Sequence, residues 1–135
     1  MQIGLWSVFT DALPTILLRD ARLAAAIVMG RAVLSPPASF DWEVMLVATL
    51  VHFALSIAYS VILSRVIARL GTALSLLAGI VFGLLLYGIN MYGFTAVFPW
   101  FEATRDWITV IAHVVFGIVA AAVYKLLSKR SLASA

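Results

Sequence analysis

Two histidines and one asparagine lie inside long stretches of sequence without a charged side chain. The three side chains are His52, Asn90 and His113, and their uncharged runs are 44–64, 71–101 and 108–124. Imidazole titrates near neutral pH and ligates metals, and an amide both donates and accepts hydrogen bonds. Polar groups at membrane depth are costly and often functional. These three residues are therefore the first candidates for chemistry.

Helical spacing places further polar or small residues on the same faces. The polar cluster predicted in this way comprises His52, Ser56, Tyr59, Tyr87, Asn90, His113 and Tyr124. A helix-packing stripe comprises Gly79, Gly83, Gly117 and Ala121. Small residues at four-residue spacing let helix backbones approach closely. Both histidines are predicted to point inward, toward Asn90 or Tyr87, because lipid leaves a polar ring without hydrogen-bond partners.

The first interpretation of the polar cluster is a packing seam between helices, with no catalytic residue and no metal. Three functional alternatives remain open. A proton, cation or small solute would follow a polar path, and its residues would be His52, Ser56, Tyr59, Asn90 and His113. A haem would be ligated between His52 and His113. A Cu(I) ion would bind Met29, Met45 and Met91 together with the histidines.

The elements that position these residues are predicted to be membrane-spanning helices, since about 20 apolar residues cross the hydrocarbon core of a bilayer. The chain has 135 residues, a 64% hydrophobic fraction and a mean hydropathy of +1.12. It fits one transmembrane domain over 1–135, an all-α polytopic four-helix bundle. The predicted spans are about 14–34, 42–67, 72–98 and 106–127.

The first helix is predicted from Asp11 to Leu34, because Asp11 can cap it and the prolines after Ser35 end it. Gln2–Thr10 is expected to form an N-terminal segment along the membrane interface. The alternative is a separate crossing by Ile3–Leu18. Arginines early in the first helix are expected to send their guanidinium groups to the nearby headgroups.

The basic residues predict the orientation, because cytoplasmic loops collect lysine and arginine. The side expected in the cytoplasm, together with both termini, has seven of them: Arg19, Arg22, Arg65, Arg69, Lys125, Lys129 and Arg130. Only Arg31 and Arg105 fall on the other side. The net charge of +3 sorts by membrane side and forms no single patch, so nucleic acid is not an expected partner.

The two halves of the chain share a pattern that predicts an internal repeat. Asp41-Trp42 opens the second helix and Asp106-Trp107 the fourth, with a tyrosine 18 residues after each aspartate. The first and third helices share Ile-x-Met, at Ile27 and Ile89. Two helix pairs in the same order would be related by an axis along the membrane normal. Chance agreement between apolar helices is the alternative.

Arg31 lies near the outward end of the first helix, where it can reach the headgroup region. Its simplest expected partner is Asp41 or Glu43, and anion binding at the outer face is the alternative. The sequence has no cysteine, Gly-x-Ser-x-Gly elbow, phosphate-binding glycine loop or His-Glu-x-x-His motif. An enzyme is therefore not expected.

The stretch Gly79–Tyr87, followed by Asn90, Pro99 and Ala112-His113-x-x-Phe116-Gly117, resembles the YagU type of small bacterial inner-membrane protein. Pro36-Pro37 and His52 resemble the same pattern, whereas Arg31 departs from it, since an aromatic or acidic residue is expected there. The resemblance implies a four-helix protein of the bacterial inner membrane and carries over no catalytic residue.

Together these patterns favour a non-enzymatic accessory or stabilising subunit of the bacterial inner membrane. Its expected partners are the lipid bilayer and either further copies of the chain or a larger membrane complex. The second hypothesis is an oligomeric transporter or channel. The third is a haem-carrying subunit, and no cofactor is expected under the first hypothesis.

Overall fold

The computed structural model describes residues 13–133, and within that range it is helical throughout, with no strand. Four α-helices follow one another: α1, Leu13–Met29; α2, Trp42–Ile67; α3, Thr72–Gly88; and α4, Trp107–Ala133. A π-helical turn at Ile89–Gly93 continues α3, and short 3-10 segments cover Arg31–Leu34, Phe94–Ala96 and Pro99–Thr104. The predicted interfacial segment, Gln2–Thr10, lies outside the described residues.

Three of these helices are long and apolar enough to cross a membrane. They are Trp42–Ile67, Thr72–Ala96, in which the π turn and the next 3-10 turn extend α3, and Trp107–Ser131. An 18-residue stretch within each has a mean hydropathy of 2.1 or 2.2. The predicted spans at 42–67, 72–98 and 106–127 correspond to them. The chain is thus an all-helical membrane protein with three described helices of spanning length.

The first helix ends earlier than the sequence predicted. We expected it to continue to Leu34, but α1 stops at Met29 and a 3-10 turn follows. Gly30 has a φ of +83°, a conformation that glycine adopts without strain, and its amide donates to the carbonyl of Ala26. With ψ at 178°, this is an extended, positive-φ conformation open almost only to glycine, so the helix ends at Gly30, before the prolines.

The helix α4 begins on an aspartate, as α2 does. The Asp41 carboxylate accepts hydrogen bonds from the amides of Glu43 and Val44, and the Asp106 carboxylate accepts one from Thr109. Such caps satisfy amides that have no partner inside the helix. We call the end of the bundle that carries both caps and Pro99–Thr104 the aspartate end. The opposite end, with Arg65, Arg69 and Lys125, is the basic end.

The tightest packing joins α3 to α4 through glycines, as predicted. A side chain added at Gly79 would meet the backbone of Gly117, and one added at Gly83 would meet the carbonyl of His113. Ala121, the fourth predicted member of the stripe, is fully buried one turn after Gly117. The absence of side chains at these glycines is what allows the two backbones to touch.

The helix α2 is held at its two ends. Near the aspartate end, Val44 and Ala48 share a buried cluster with Ala21 and Ala25 of α1. Near the basic end, a second cluster joins α2 to α4; its buried members are Leu63, Ile67 and Ala121. Between the two clusters most of the side chains of α2 are exposed.

The internal repeat predicts that corresponding positions of the two helix pairs make corresponding contacts. The Ile-x-Met motifs lie 62 residues apart, and the two capping aspartates lie 65 apart. With these offsets Ala21 corresponds to Gly83, and Ala48 corresponds to His113. Ala21 and Ala48 share one buried cluster, and Gly83 lies against His113. A direct backbone contact is described for Gly83 and His113 alone, so the internal repeat stays a prediction.

Candidate functional site

A line of hydrogen bonds crosses from α2 through the π turn to α4. The Tyr59 hydroxyl donates to Oδ1 of Asn90 over 3.0 Å. The Asn90 amide lies 3.2 Å from Nε2 of His113, and Nδ1 of His113 lies 2.8 Å from the carbonyl oxygen of Thr109. Three helical segments thus contribute polar atoms to one connected group, which we call the Tyr59–Asn90–His113 line.

The directions of these bonds fix the protonation of the imidazole. A carbonyl oxygen only accepts, so Nδ1 of His113 carries a hydrogen and donates it to Thr109. Asn90 accepts from Tyr59 through its oxygen and offers its NH₂ group to the imidazole, so Nε2 accepts. The line therefore fits a neutral His113 with its hydrogen on Nδ1. Every polar atom in it serves as donor or acceptor in a way its chemistry allows.

The π turn places Asn90 in this position. The amide of Phe94 donates to the carbonyl of Ile89, five residues back, which is the spacing of a π-helix. The wider turn leaves backbone carbonyls free, and the Arg105 guanidinium takes one of them: its Nε lies 2.7 Å from the oxygen of Met91. Such single π turns inside helices are frequent at functional sites.

Arg105 holds the π turn from several directions. Besides the bond to Met91, Nη2 donates to the Thr95 hydroxyl over 2.9 Å, and Nη1 lies 2.9 Å from the Glu102 carboxylate. The guanidinium also lies 4.5 Å from the ring centre of Tyr92. The sequence analysis counted Arg105 only as a charge on a loop. Its position between Glu102 and Asp106 gave no sign that it would turn back onto the helix before it.

The predicted polar cluster is only partly assembled. Tyr59, Asn90 and His113 form the line, and the Tyr87 ring meets the His113 ring edge to face, with centroids 5.8 Å apart. Tyr124 lies elsewhere, packed on the buried cluster at the basic end, with Lys125 5.6 Å from its ring centre.

The prediction that His52 points inward, toward Asn90 or Tyr87, is wrong. His52 is exposed on α2, and its one described ring contact is with the neighbouring Phe53. The reason is that His52 lies on a side of α2 that no other helix in residues 13–133 covers. Ser56 lies in the same open stretch, in a shallow groove along α2 with Ser60 and Ser64.

This arrangement does not fit a haem between the two histidines. Both ring nitrogens of His113 are already engaged, one by Thr109 and one by Asn90. An iron ligand at Nε2 would have to displace the Asn90 amide, and His52 does not approach His113. The two rings that the haem hypothesis requires to face each other therefore do not do so.

Arg31 does not take its expected partners. Its guanidinium lies 5.5 Å from the ring centre of Trp100, a cation–π contact, and no ion pair with Asp41 or Glu43 is present in the described part of the chain. The Trp100 indole in turn donates to the carbonyl of Leu23 over 3.1 Å. Trp100 thus ties the connection before α4 to α1.

Arg22 lies at the end of the bundle opposite to the one expected. Its guanidinium donates to the carbonyl oxygens of Val33 and Ser39, each over 2.8 Å, in the connection between α1 and α2. This places its charge at the aspartate end, with Arg31 and Arg105. Arg19 forms an ion pair with the adjacent Asp20 over 2.8 Å. Five basic residues therefore lie at the basic end and three at the aspartate end, and Asp20 neutralises the charge of Arg19.

A cavity of about 290 Å³ lies beside the Tyr59–Asn90–His113 line, between α1, the middle of α2 and the π turn. Asn90 contributes to its wall, and the rest of the wall is apolar. Its lining residues are Ile27, Val51, Ala54, Leu55, Asn90, Met91, Phe94, Phe98 and Phe101. The sequence analysis did not anticipate this cavity, because residue spacing along a helix does not reveal the space between helices.

Comparison with known proteins adds no relative to this picture. No protein-family model, curated protein sequence or solved structure matches the chain. The fold and the site together define a small multi-pass helical membrane protein with an internal polar line.

Proposed function

We propose that this protein is a non-enzymatic subunit of the bacterial inner membrane that assembles with further copies of itself through the middle of α2. The observation that carries the proposal is the uncovered polar side of that helix. His52, Ser56 and Ser60 lie within a 26-residue apolar helix, between its two packed ends. Hydrocarbon offers no hydrogen bonds, so polar groups in a span favour contact with another helix.

Self-association suits the chemistry of this surface. Serine hydroxyls and a neutral imidazole each both donate and accept hydrogen bonds, so two identical surfaces can satisfy one another around a twofold axis. The small serine side chains at positions 56, 60 and 64 also allow close approach of two helix backbones. The corresponding small stripe of α3 and α4 is already used inside the bundle.

The sequence makes a direct test straightforward, because it has no cysteine. A Ser60→Cys variant should form a disulfide-linked dimer when membranes are treated with a mild oxidant. Leu77→Cys, on an exposed position of α3, is the matched control and should remain monomeric. A cross-link to a different protein would instead identify a larger complex. A monomer at both positions would contradict the proposal.

The second candidate is an oligomeric transporter or channel for a proton, cation or small solute. The intramembrane His113 of the Tyr59–Asn90–His113 line favours it, because ionisable residues such as histidine form the proton relays of pumps and transporters. Purified protein in vesicles with a pH-sensitive dye inside would test this candidate. It predicts proton flux that His113→Gln abolishes, since an amide does not titrate near neutral pH.

For orientation we propose that the basic end faces the cytoplasm. Five basic residues lie there, against three at the aspartate end, and the rule that cytoplasmic ends carry the excess supports this direction. The C-terminus of α4 would then be cytoplasmic. Because the numbers of basic residues at the two ends differ by only two, a reporter fusion is the deciding measurement.

A further inference from the structure

The cavity beside Asn90 has the composition of a ligand site rather than of a packing gap. Its volume of about 290 Å³ is close to the lower end of the range for small-molecule pockets, which is about 300–1,000 Å³. Three phenylalanines, Phe94, Phe98 and Phe101, form part of its wall. Apolar and aromatic walls with one or a few polar groups are the usual character of such pockets.

Asn90 is the one polar side chain in that wall. Its oxygen accepts from Tyr59, and one amide hydrogen goes to His113. The second amide hydrogen has no partner among residues 13–133. Asn90 is half-buried, and an amide hydrogen away from water gains free energy when a carbonyl oxygen accepts it. The line also fixes which side of the amide carries the hydrogens.

The cavity opens at the side toward lipid. Leu55 is 41% exposed and Phe94 is 39% exposed, and both contribute to the wall. A molecule with a long apolar tail can therefore place its head in the cavity and leave the tail in the bilayer. The phenylalanines favour a flat ring over a flexible acyl chain, because aromatic pairs gain free energy from offset or edge-to-face contact.

We propose that this cavity binds the ring of a lipid-soluble carbonyl compound of the isoprenoid-quinone class, with a ring carbonyl accepting the free amide hydrogen of Asn90. The proposal concerns binding alone and involves no electron transfer. It is independent of assembly through α2, because Ser60 and Ser64 lie outside the cavity.

Equilibrium binding measures the proposal directly. The probe is a tritium-labelled benzoquinone with one isoprenyl unit, added to the purified protein in nanodiscs, with empty nanodiscs subtracted. We expect saturable binding of one molecule per chain. Excess unlabelled quinone should displace the probe, whereas excess methyl oleate should not. Displacement by methyl oleate would show that the cavity takes an acyl chain, and binding without saturation would show simple partition into lipid; either result overturns the proposal.

A pair of substitutions on α2 locates the binding. Ala54 lines the cavity, and Ala58, one turn later, is also exposed but does not line it. Ala54→Phe places a ring in the cavity and should weaken binding by about tenfold or more, whereas Ala58→Phe should leave it unchanged. Asn90→Leu removes the donor and should weaken binding by about threefold to tenfold. Equal binding by Ala54→Phe and Ala58→Phe would refute the site, whatever Asn90→Leu does.

Discussion

Gly83 lies directly against the backbone carbonyl of His113, so the residue that contributes the imidazole also forms one of the close glycine contacts between α3 and α4. The same turn of α4 thus makes two contacts. Its backbone packs on the glycine, and its side chain reaches Asn90. A change in the distance between the two helices would therefore change the hydrogen-bonded line as well.

Substitution of Gly83 tests this contact. Gly83→Ala should destabilise the folded protein by about 1–3 kcal/mol, because a methyl group would collide with the backbone of α4. Gly88→Ala is the matched control, since nothing lies within 4 Å of a side chain added at Gly88. It should be neutral or slightly stabilising. Thermal unfolding in detergent, followed by circular dichroism, measures both, and equal stabilities would mean that α3 is rotated away from α4.

The two histidines should differ in their effect on stability. His113→Leu leaves the NH₂ group of Asn90 without its partner on α4 and should cost about 1–3 kcal/mol. His52→Leu, at an exposed position, should change the stability of the monomer by about 0.5 kcal/mol or less. Unfolding in a detergent that keeps the chain monomeric separates them. A larger loss for His52→Leu would show that His52 is packed inside the chain.

The hydroxyl of Tyr59 is predicted to stabilise the fold modestly. Tyr59→Phe removes the bond to Asn90 and should cost about 0.6 kcal/mol, the average for such bonds between membrane helices. Tyr124→Phe is the control, because within the described chain the Tyr124 hydroxyl forms no hydrogen bond. Its substitution should have no measurable effect. If both variants unfold at the same temperature as the parent protein, the Tyr59 bond contributes nothing to stability.

Reporter fusions decide the orientation. An enzyme active only in the periplasm should give no signal when fused after Ala135 and a strong signal when inserted near Ser39. The expectation follows from the five basic residues at the basic end. Activity after Ala135 would reverse the proposed orientation while leaving the fold unchanged.

The sequence predicted the three long helices and the glycine contact well, because both depend on local composition. Long apolar runs are decisive for spans, and Gly79 and Gly83 lie four residues apart on one helical face. It also brought Asn90 and His113 together, since both needed a partner in lipid.

Prediction from the sequence failed where the outcome depends on how far apart the helices lie. His52 shares a helical face with Tyr59, but spacing along a helix does not say whether a neighbouring helix is present at that depth. Arg22 was assigned to the wrong end because its position in the chain does not reveal the direction of its side chain. The π turn and the hydrogen bonds of Arg105 to Met91 and Thr95 depend on tertiary contacts, which no local pattern encodes.

The attachment of α2 at its two ends has a mechanical consequence. Between Ala48 and Leu63 the described contacts leave the helix largely unsupported, and the Tyr59 hydroxyl bond reaches across that gap to Asn90. Loss of this bond would let the middle of the helix bow outward while both ends stay attached. Such local opening costs less than global unfolding. It would also move Val51 and Leu55, which line the cavity, and so widen the opening toward the lipid. The Tyr59 hydroxyl would therefore keep that opening narrow.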